Sequence, residues 1–321
     1  LGRGKYVDQF EEKMAEYFHV NHAIALSNGT MADLVMLLTL KVMYPDRNEV
    51  ILPAFTFVAQ ANAVVMAGLK PVFVDVNDEY QIDWTKVRTN DKTLCVFPAN
   101  LIGKFSGEYL GTDIPMIEDC CESMGGDYCY KKFGTFGIAG AFSMFPSHTI
   151  TTGEGGLIIT NDPNFNEIAR SIMNHGKWRS NDFDFKFFGI NAKMTNMQAA
   201  VGCALVDRVD SVNIKRRKNV ELYNMLLGNY FFAEAPHCYP IIYDSFESRE
   251  QALVTLRSHN IEARKLMGCI PDYNFYRDAF DIKETFPMAT RFASCGLFVP
   301  IHQNLKQSEI ERICDVIELT R

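Results

Sequence analysis

Three short stretches of this 321-residue chain carry side chains that could act together in one reaction. The first is Ser27-Asn28-Gly29-Thr30, small polar residues and a glycine between an apolar run and a helical pattern. A helix entered this way offers free backbone N–H groups and the positive end of its dipole to an anion such as a phosphate. The same residues also suit an ordinary helix cap. The second is Ile117-Glu118-Asp119, acids at the end of an apolar strand, where open α/β sheets bind their ligands. A buried lone carboxylate is costly, so Asp119 needs either a cation, such as a protonated ring nitrogen, or the N–H groups of a following turn. The third is the glycine-rich run Gly134–Gly156, GTFGIAGAFSMFPSHTITTGEGG, which holds His148 between Ser147 and Thr149. Histidine has the ordinary pKa best suited to proton transfer near neutrality, although a lone histidine is more often a satisfied structural residue.

These residues need a frame. Val7–Phe18 has Phe10, Met14, Tyr17 and Phe18 near helical spacing and predicts an amphipathic helix. Short apolar runs predict strands at Ala23–Leu26, Val50–Leu52, Pro71–Val76, Leu94–Pro98 and Met116–Asp119, with helices between them. Ala141–Phe145 and Gly156–Thr160 read as an antiparallel-capable pair. Strands alternating with helices indicate an α/β fold with a largely parallel sheet. Asn196–Leu227 reads as one long helical stretch interrupted only by Gly202, and Cys295–Pro300 as a late strand. The change of pattern suggests a large cofactor-binding domain over residues 1–205 and a smaller C-terminal domain over 206–321.

Composition narrows the partners. A net charge of −7 with interspersed signs argues against nucleic-acid binding. No apolar run approaches the ~18 residues of a membrane span, and the first residues lack a signal-peptide layout, so the chain is expected to be cytoplasmic. Nine cysteines without a CxxC pair read as reduced core thiols, and no metal site is expected.

Taken in order, SNGTMADL, ILPAFTFVAQANAVVMAGLKPVFVDV, IEDCCESMGG, GTFGIAGAFSMFPSHTITTGEGGLIITND and GINAKMTNMQAAVG resemble the DegT/DnrJ/EryC1/StrS sugar aminotransferases over about residues 4–205. The resemblance implies the fold-type I, aspartate-aminotransferase-like architecture: a large mixed, mostly parallel sheet with a smaller C-terminal α/β domain. It also implies a homodimer with its sites at the interface and pyridoxal 5′-phosphate or pyridoxamine 5′-phosphate as cofactor. Carried over residue by residue, Gly29, Thr30 and Ser143 hold the phosphate and Phe57 stacks on the ring. Asp119 pairs with the ring nitrogen, and Asn191 reaches the phosphate from the partner subunit. The chain opens at Leu1-Gly2-Arg3-Gly4, where the resemblance implies an upstream segment that helps frame the sugar-nucleotide site.

Two departures bear on the reaction. Where the family keeps its covalent lysine this chain has His148, and where it commonly has glutamine, three positions after the Asp, it has Glu122. Imidazole forms no stable imine with an aldehyde, so the cofactor is expected to be held non-covalently. The same substitutions, with Glu-Ser-Met-Gly after the acid, resemble the branch of the family that removes the C3 hydroxyl of a nucleotide-linked 4-keto-6-deoxy sugar. That branch implies His148 as base and then acid, hydrolytic release of ammonia and a 3-deoxy sugar, and L-glutamate as amino donor. In His175-Gly176-Lys177-Trp178-Arg179 the resemblance makes Arg179 the fork for the glutamate carboxylate, since a guanidinium binds carboxylate bidentately. Lys193 stands where that branch has a second arginine and keeps the charge without the fork. Another histidine-bearing branch uses an iron–sulfur cluster, but only Cys203 lies between His148 and residue 237. Two further expectations stand beside dehydration: an aminotransferase whose lysine has been replaced, and a non-catalytic cofactor-binding homologue.

Overall fold

The computed structural model describes residues 2–107, 114–178 and 183–321. Helix α1 (Lys5–Phe18) buries Val7, Phe10, Met14 and Phe18 on one face and ends on His19 in the left-handed conformation. Glu11 is buried on the same helix, bridged by Arg3 and Arg170 at 3.0 Å each. It also accepts the N–H of Ala25, which ties α1 to the first strand.

The main sheet starts from β1 (His22–Leu26), which leads into α2 (Gly29–Met43), β2 (Glu49–Pro53), α3 (Val58–Met66), β3 (Lys70–Val74) and β4 (Thr93–Val96). The chain continues through β5 (Ile117–Asp119), β6 (Ala139–Ser143), β7 (Gly156–Thr160) and α4 (Pro163–Ile172). Strands β3, β2 and β4 pair in parallel, while β1, β7, β6 and β5 form a four-stranded run in that order. Two parallel bridges, Val96 to Met116 and Ala99 to Asp119, join the two runs into one surface. Within these two runs the pairings of β7 with β1 and β6 are antiparallel. Strands covered on both faces must be apolar throughout, and the short continuous runs in the sequence reflect that. The sheet and its helices form the mixed, mostly parallel fold-type I architecture.

Several boundaries differ from expectation. Strand β6 begins two residues early, so Ser143 closes it and Phe145 lies exposed in the following loop. The expected Pro71–Val76 strand stops at Val74, and Val76 makes a single bridge to Ile82. The long helix is two helices, α5 (Asn196–Leu205) and α6 (Val209–Leu227), broken by a tight turn at Val206–Arg208. The break is not at Gly202. That glycine stays helical because Phe10 lies across it, and a Cβ there would sit 2.7 Å from the ring. The chain turns where it does because Val206 and Val209 enter the core around Phe10 and Met14.

The C-terminal layer holds β8 (Tyr239–Ile242), α7 (Phe246–Ser258), β9 (Arg264–Lys265), α8 (Pro287–Cys295), β10 (Gly296–Val299) and α9 (Gln307–Glu318). Its sheet is antiparallel, in the order β8-β10-β9. Phe55, Ala99 and Leu101, from the segments that follow β2 and β4, share one hydrophobic cluster with Tyr223, Leu253, Leu297 and Ile313. The closest seam is at Gly103, whose φ of +86° and lack of a side chain let Ala235 approach. A Cβ at Gly103 would lie 1.9 Å from the Ala235 carbonyl oxygen, so only glycine fits. Ala235 donates to the Gly103 carbonyl at 3.0 Å and His237 to that of Ile102 at 3.3 Å. This seam carries His237 to the ends of the parallel strands. Among the described residues no helix is long and apolar enough to cross a membrane.

Candidate active site

A cavity of about 1630 Å³ opens at the carboxyl ends of the main strands. Gly29, Thr30, Phe57, Asp119, Glu122, Ser143 and His148 all line it. Asn191 is exposed and Lys193 donates to Asn174 Oδ1 at 2.9 Å; neither belongs to this lining. Arg179 lies outside the described residues.

One end of the cavity suits a phosphate. Asn28 caps α2 by accepting from the N–H of Met31 at 2.9 Å, which leaves the N–H groups at Gly29 and Thr30 at the helix mouth. The helix end meets β6 and β7 directly. A Cβ on Gly29 would fall 2.7 Å from Ser143 Cβ and 2.8 Å from Cys121 Sγ. The glycine keeps a small concave cradle beside the Ser143 hydroxyl, at the positive end of the helix dipole.

A neighbouring part of the same cavity suits a cation. Asp119 closes β5, is buried, and accepts from the N–H of Cys121 at 3.0 Å. Burial raises its carboxyl to about 6, against the Cys121 donor and helped by the nearby charge of Glu122. No cation from the described residues relieves it. A protonated pyridine nitrogen would, so the cradle and the acid together fit a pyridoxal-phosphate-type group. Its neighbour Glu118 is occupied elsewhere. It accepts from the N–H groups of Gly134, Phe136 and Gly137 at 2.7–2.9 Å and so ties the glycine-rich loop to the strand. Phe57 stands 57% exposed at the start of α3, with its face free to stack on a planar ligand.

His148 follows β6 by a short turn, in which its own N–H donates to the Phe145 carbonyl. Its Nδ1 lies 3.1 Å from the Ser143 carbonyl oxygen. A carbonyl only accepts, so Nδ1 carries the hydrogen and Nε2 keeps its lone pair. Burial, with the neighbouring His237 second, lowers His148 to about 4, against the pull of Glu122. The imidazole is therefore neutral near pH 7 and able to accept a proton. Arg216 of α6, buried, donates to the carbonyls of His148 at 3.2 Å and Ser147 at 3.4 Å and anchors the loop from behind. His237 Nε2 lies 3.8 Å from Glu122 Oε1, and Glu122 Oε2 accepts from the N–H of Ile102 at 2.9 Å. Burial, then Arg216, lowers His237 to about 3, while burial raises Glu122.

Four residues at this site were not anticipated from the sequence: Asp33, Cys121, Arg216 and His237. Asp33 had a visible signal, as an acid inside the otherwise apolar helix run MADLVMLL. Arg216 is hidden in the basic run Lys215-Arg216-Arg217-Lys218, which reads as a solvated face, and His237 has no local signal.

Residues 1–318 match the DegT/DnrJ/EryC1/StrS aminotransferase family. The GDP-perosamine synthase of Vibrio cholerae is 31% identical, over 98% of this chain and 91% of its own length. The GDP-4-keto-6-deoxy-D-mannose 3-dehydratase of Escherichia coli O55:H7 is 28% identical over 98% and 92%. A crystal structure of GDP-4-keto-6-deoxymannose-3-dehydratase with a trapped PLP-glutamate geminal diamine superposes with a TM-score of 0.90 at 28% identity, covering 98% and 93%.

Proposed function

The chain belongs to the DegT/DnrJ/EryC1/StrS aminotransferase family, and from that premise we propose that it is a pyridoxal-phosphate-dependent 3-dehydratase of a nucleotide-linked 4-keto-6-deoxy sugar. What carries the reading is His148, an imidazole with a free Nε2 at the position where the resemblance puts lysine. Pyridoxamine 5′-phosphate, when bound, supplies an amine for the sugar ketone and a sink for the electrons released by deprotonation. Gly29, Thr30 and Ser143 hold its phosphate, Phe57 covers its ring, and Asp119 holds a proton at its ring nitrogen. Nε2 of His148 accepts one proton and later donates it to the departing C3 oxygen. Glu122 and His237 line the same wall; burial and His237 keep the imidazole neutral until that proton arrives, and Glu122 favours the charged form once it has.

The proposal extends to L-glutamate as amino donor, gripped by Arg179 and Lys193, and to a homodimer in which Asn191 reaches the partner's phosphate. The solved dehydratase with its PLP–glutamate adduct supports the first. Exposed Asn191 supports the second, as do Met197 and Val201, apolar groups four residues apart on α5 and so left bare on one helix face. Residues 1–205 serve in this reading as the cofactor domain and 206–321 as the smaller domain.

A second reading, a nucleotide-sugar aminotransferase whose lysine has been replaced, draws on the likeness to GDP-perosamine synthase. On similarity alone that reading has the stronger support, and His148 is what favours dehydration. One assay separates them. The protein is incubated with pyridoxal phosphate, glutamate and GDP-, CDP- or dTDP-linked 4-keto-6-deoxy sugars, and products are followed by mass spectrometry and ammonia release. Dehydration yields a 3-deoxy sugar and free ammonia. A stable 4-amino sugar would reject it.

A further inference from the structure

Helix α2 carries an acid where its packing calls for a hydrocarbon. Asp33 lies within the continuous buried run Ala32–Leu37, is 1% exposed, and has its Oδ1 buried without a hydrogen-bond partner. Asp33, Asp119 and Cys121 each present a polar atom within 4.8 Å of the others. Burying a carboxyl against an apolar helix face is expensive, so the residue needs a task beyond packing.

Two carboxylates this close, in the interior and without a cation from the described residues, cannot both be ionised. The donors decide which one keeps the charge. Asp119 receives the Cys121 N–H at 3.0 Å, which stabilises an anion, while Oδ1 of Asp33 receives nothing. Burial first, and the charge of Asp119 second, push the Asp33 carboxyl up. We infer that Asp33 is a positioning residue for the cofactor ring: a protonated, neutral acid that steadies Asp119 as the single anion beneath the ring nitrogen. With Asp33 ionised, two charges would face one pyridinium. With a leucine there, Asp119 would lose its polar neighbour on the helix side. The inference rests on the pyridoxal-phosphate reading of the pocket and is indifferent to which sugar reaction follows.

The test compares wild-type protein with Asp33→Asn, a neutral isostere, and Asp33→Leu, all checked for folding by thermal melting. The infrared difference spectrum of the cofactor-free proteins at neutral pH, wild type minus Asp33→Asn, should show a protonated-carboxyl C=O stretch. Fluorescence titration with pyridoxamine phosphate should place Asp33→Asn within about threefold of wild type and Asp33→Leu about tenfold weaker or worse. A difference spectrum without that stretch, or an affinity lost equally in both variants, overturns the inference. Wild-type protein that bound neither pyridoxal nor pyridoxamine phosphate would defeat the cofactor reading instead, and the infrared band would still decide where the proton resides.

Discussion

The imidazole of His237 stands edge-on to that of His148, with ring centres 5.2 Å apart and planes at 89°. The two arrive from opposite directions, His148 on the loop after β6 and His237 on the segment leading into β8. Between them and Glu122 they form a wall whose charge state sets what the site can do.

His148→Asn should stop turnover and leave the cofactor in place. Asparagine fills similar space but has no titratable nitrogen, so a loss of about 10²–10⁴-fold is expected for a missing acid–base group. Affinity for pyridoxamine phosphate, measured by fluorescence, should stay within a few-fold, because the cradle at Gly29 and the acid at Asp119 are untouched. A variant that kept wild-type ammonia release would remove His148 from the chemistry.

The buried histidines make the fold acid-sensitive. Unfolded histidine titrates near 6.5, whereas burial holds His148 at about 4 and His237 at about 3. Between those values the unfolded chain takes up protons that the folded chain refuses. Each histidine's contribution is therefore complete above about pH 6.5 and is lost as the pH falls toward 4, at up to about 1.4 kcal/mol per pH unit. His237→Gln should lessen the fall in melting temperature between about pH 7 and pH 5, read by circular dichroism. An unchanged slope would show that His237 already exchanges protons in the folded state.

Asp119 has the opposite sign. Its folded carboxyl, at about 6, lies above the ordinary 3.8, so its ionisation costs the fold nothing below 3.8 and the full penalty above about 6. Asp119→Asn should stabilise the cofactor-free protein by up to about 3 kcal/mol, read as a higher melting temperature, and more at pH 8 than at pH 5. The same change should weaken pyridoxamine phosphate binding by about a hundredfold, since the ring nitrogen loses its charged partner. Stability gained and affinity lost in one variant is the signature expected of a site acid.

Gly29→Ala tests the phosphate cradle. The added methyl would press on Ser143 Cβ at 2.7 Å and Cys121 Sγ at 2.8 Å, a strain of about 1–3 kcal/mol. Melting should fall by several degrees, and inorganic phosphate, expected to protect the wild type against heating, should no longer do so. Protection retained at the wild-type level would move the anion site elsewhere.

Parts of this arrangement are readable residue by residue. The Asn28-Gly29 helix start, the acid closing the apolar strand at Asp119, and the run around His148 each depend on signals within a few positions, because caps, strand ends and tight turns are local. Other parts are not. Glu118 and Asp119 are adjacent and chemically alike, and only the fold sends one to three loop N–H groups and leaves the other facing the cavity. The helix break after Leu205 differs from the expected interruption at Gly202 for a related reason: Gly202 has the weak helix propensity, but burial of Val206 and Val209 overrides it.

By itself, then, the sequence determined the alternation of strands and helices, the phosphate-ready helix mouth, the acid opposite it, and an imidazole in place of an amine. Only the folded chain sets His237 beside that imidazole, Arg216 on the backbone carbonyl of the same residue, and a polar atom of Asp33 within 4.8 Å of one of Asp119. The reason is physical. The approach of Ala235 to Gly103 and the packing of α2 against β6 bring together residues far apart in the chain, and no short-range spacing encodes such distances.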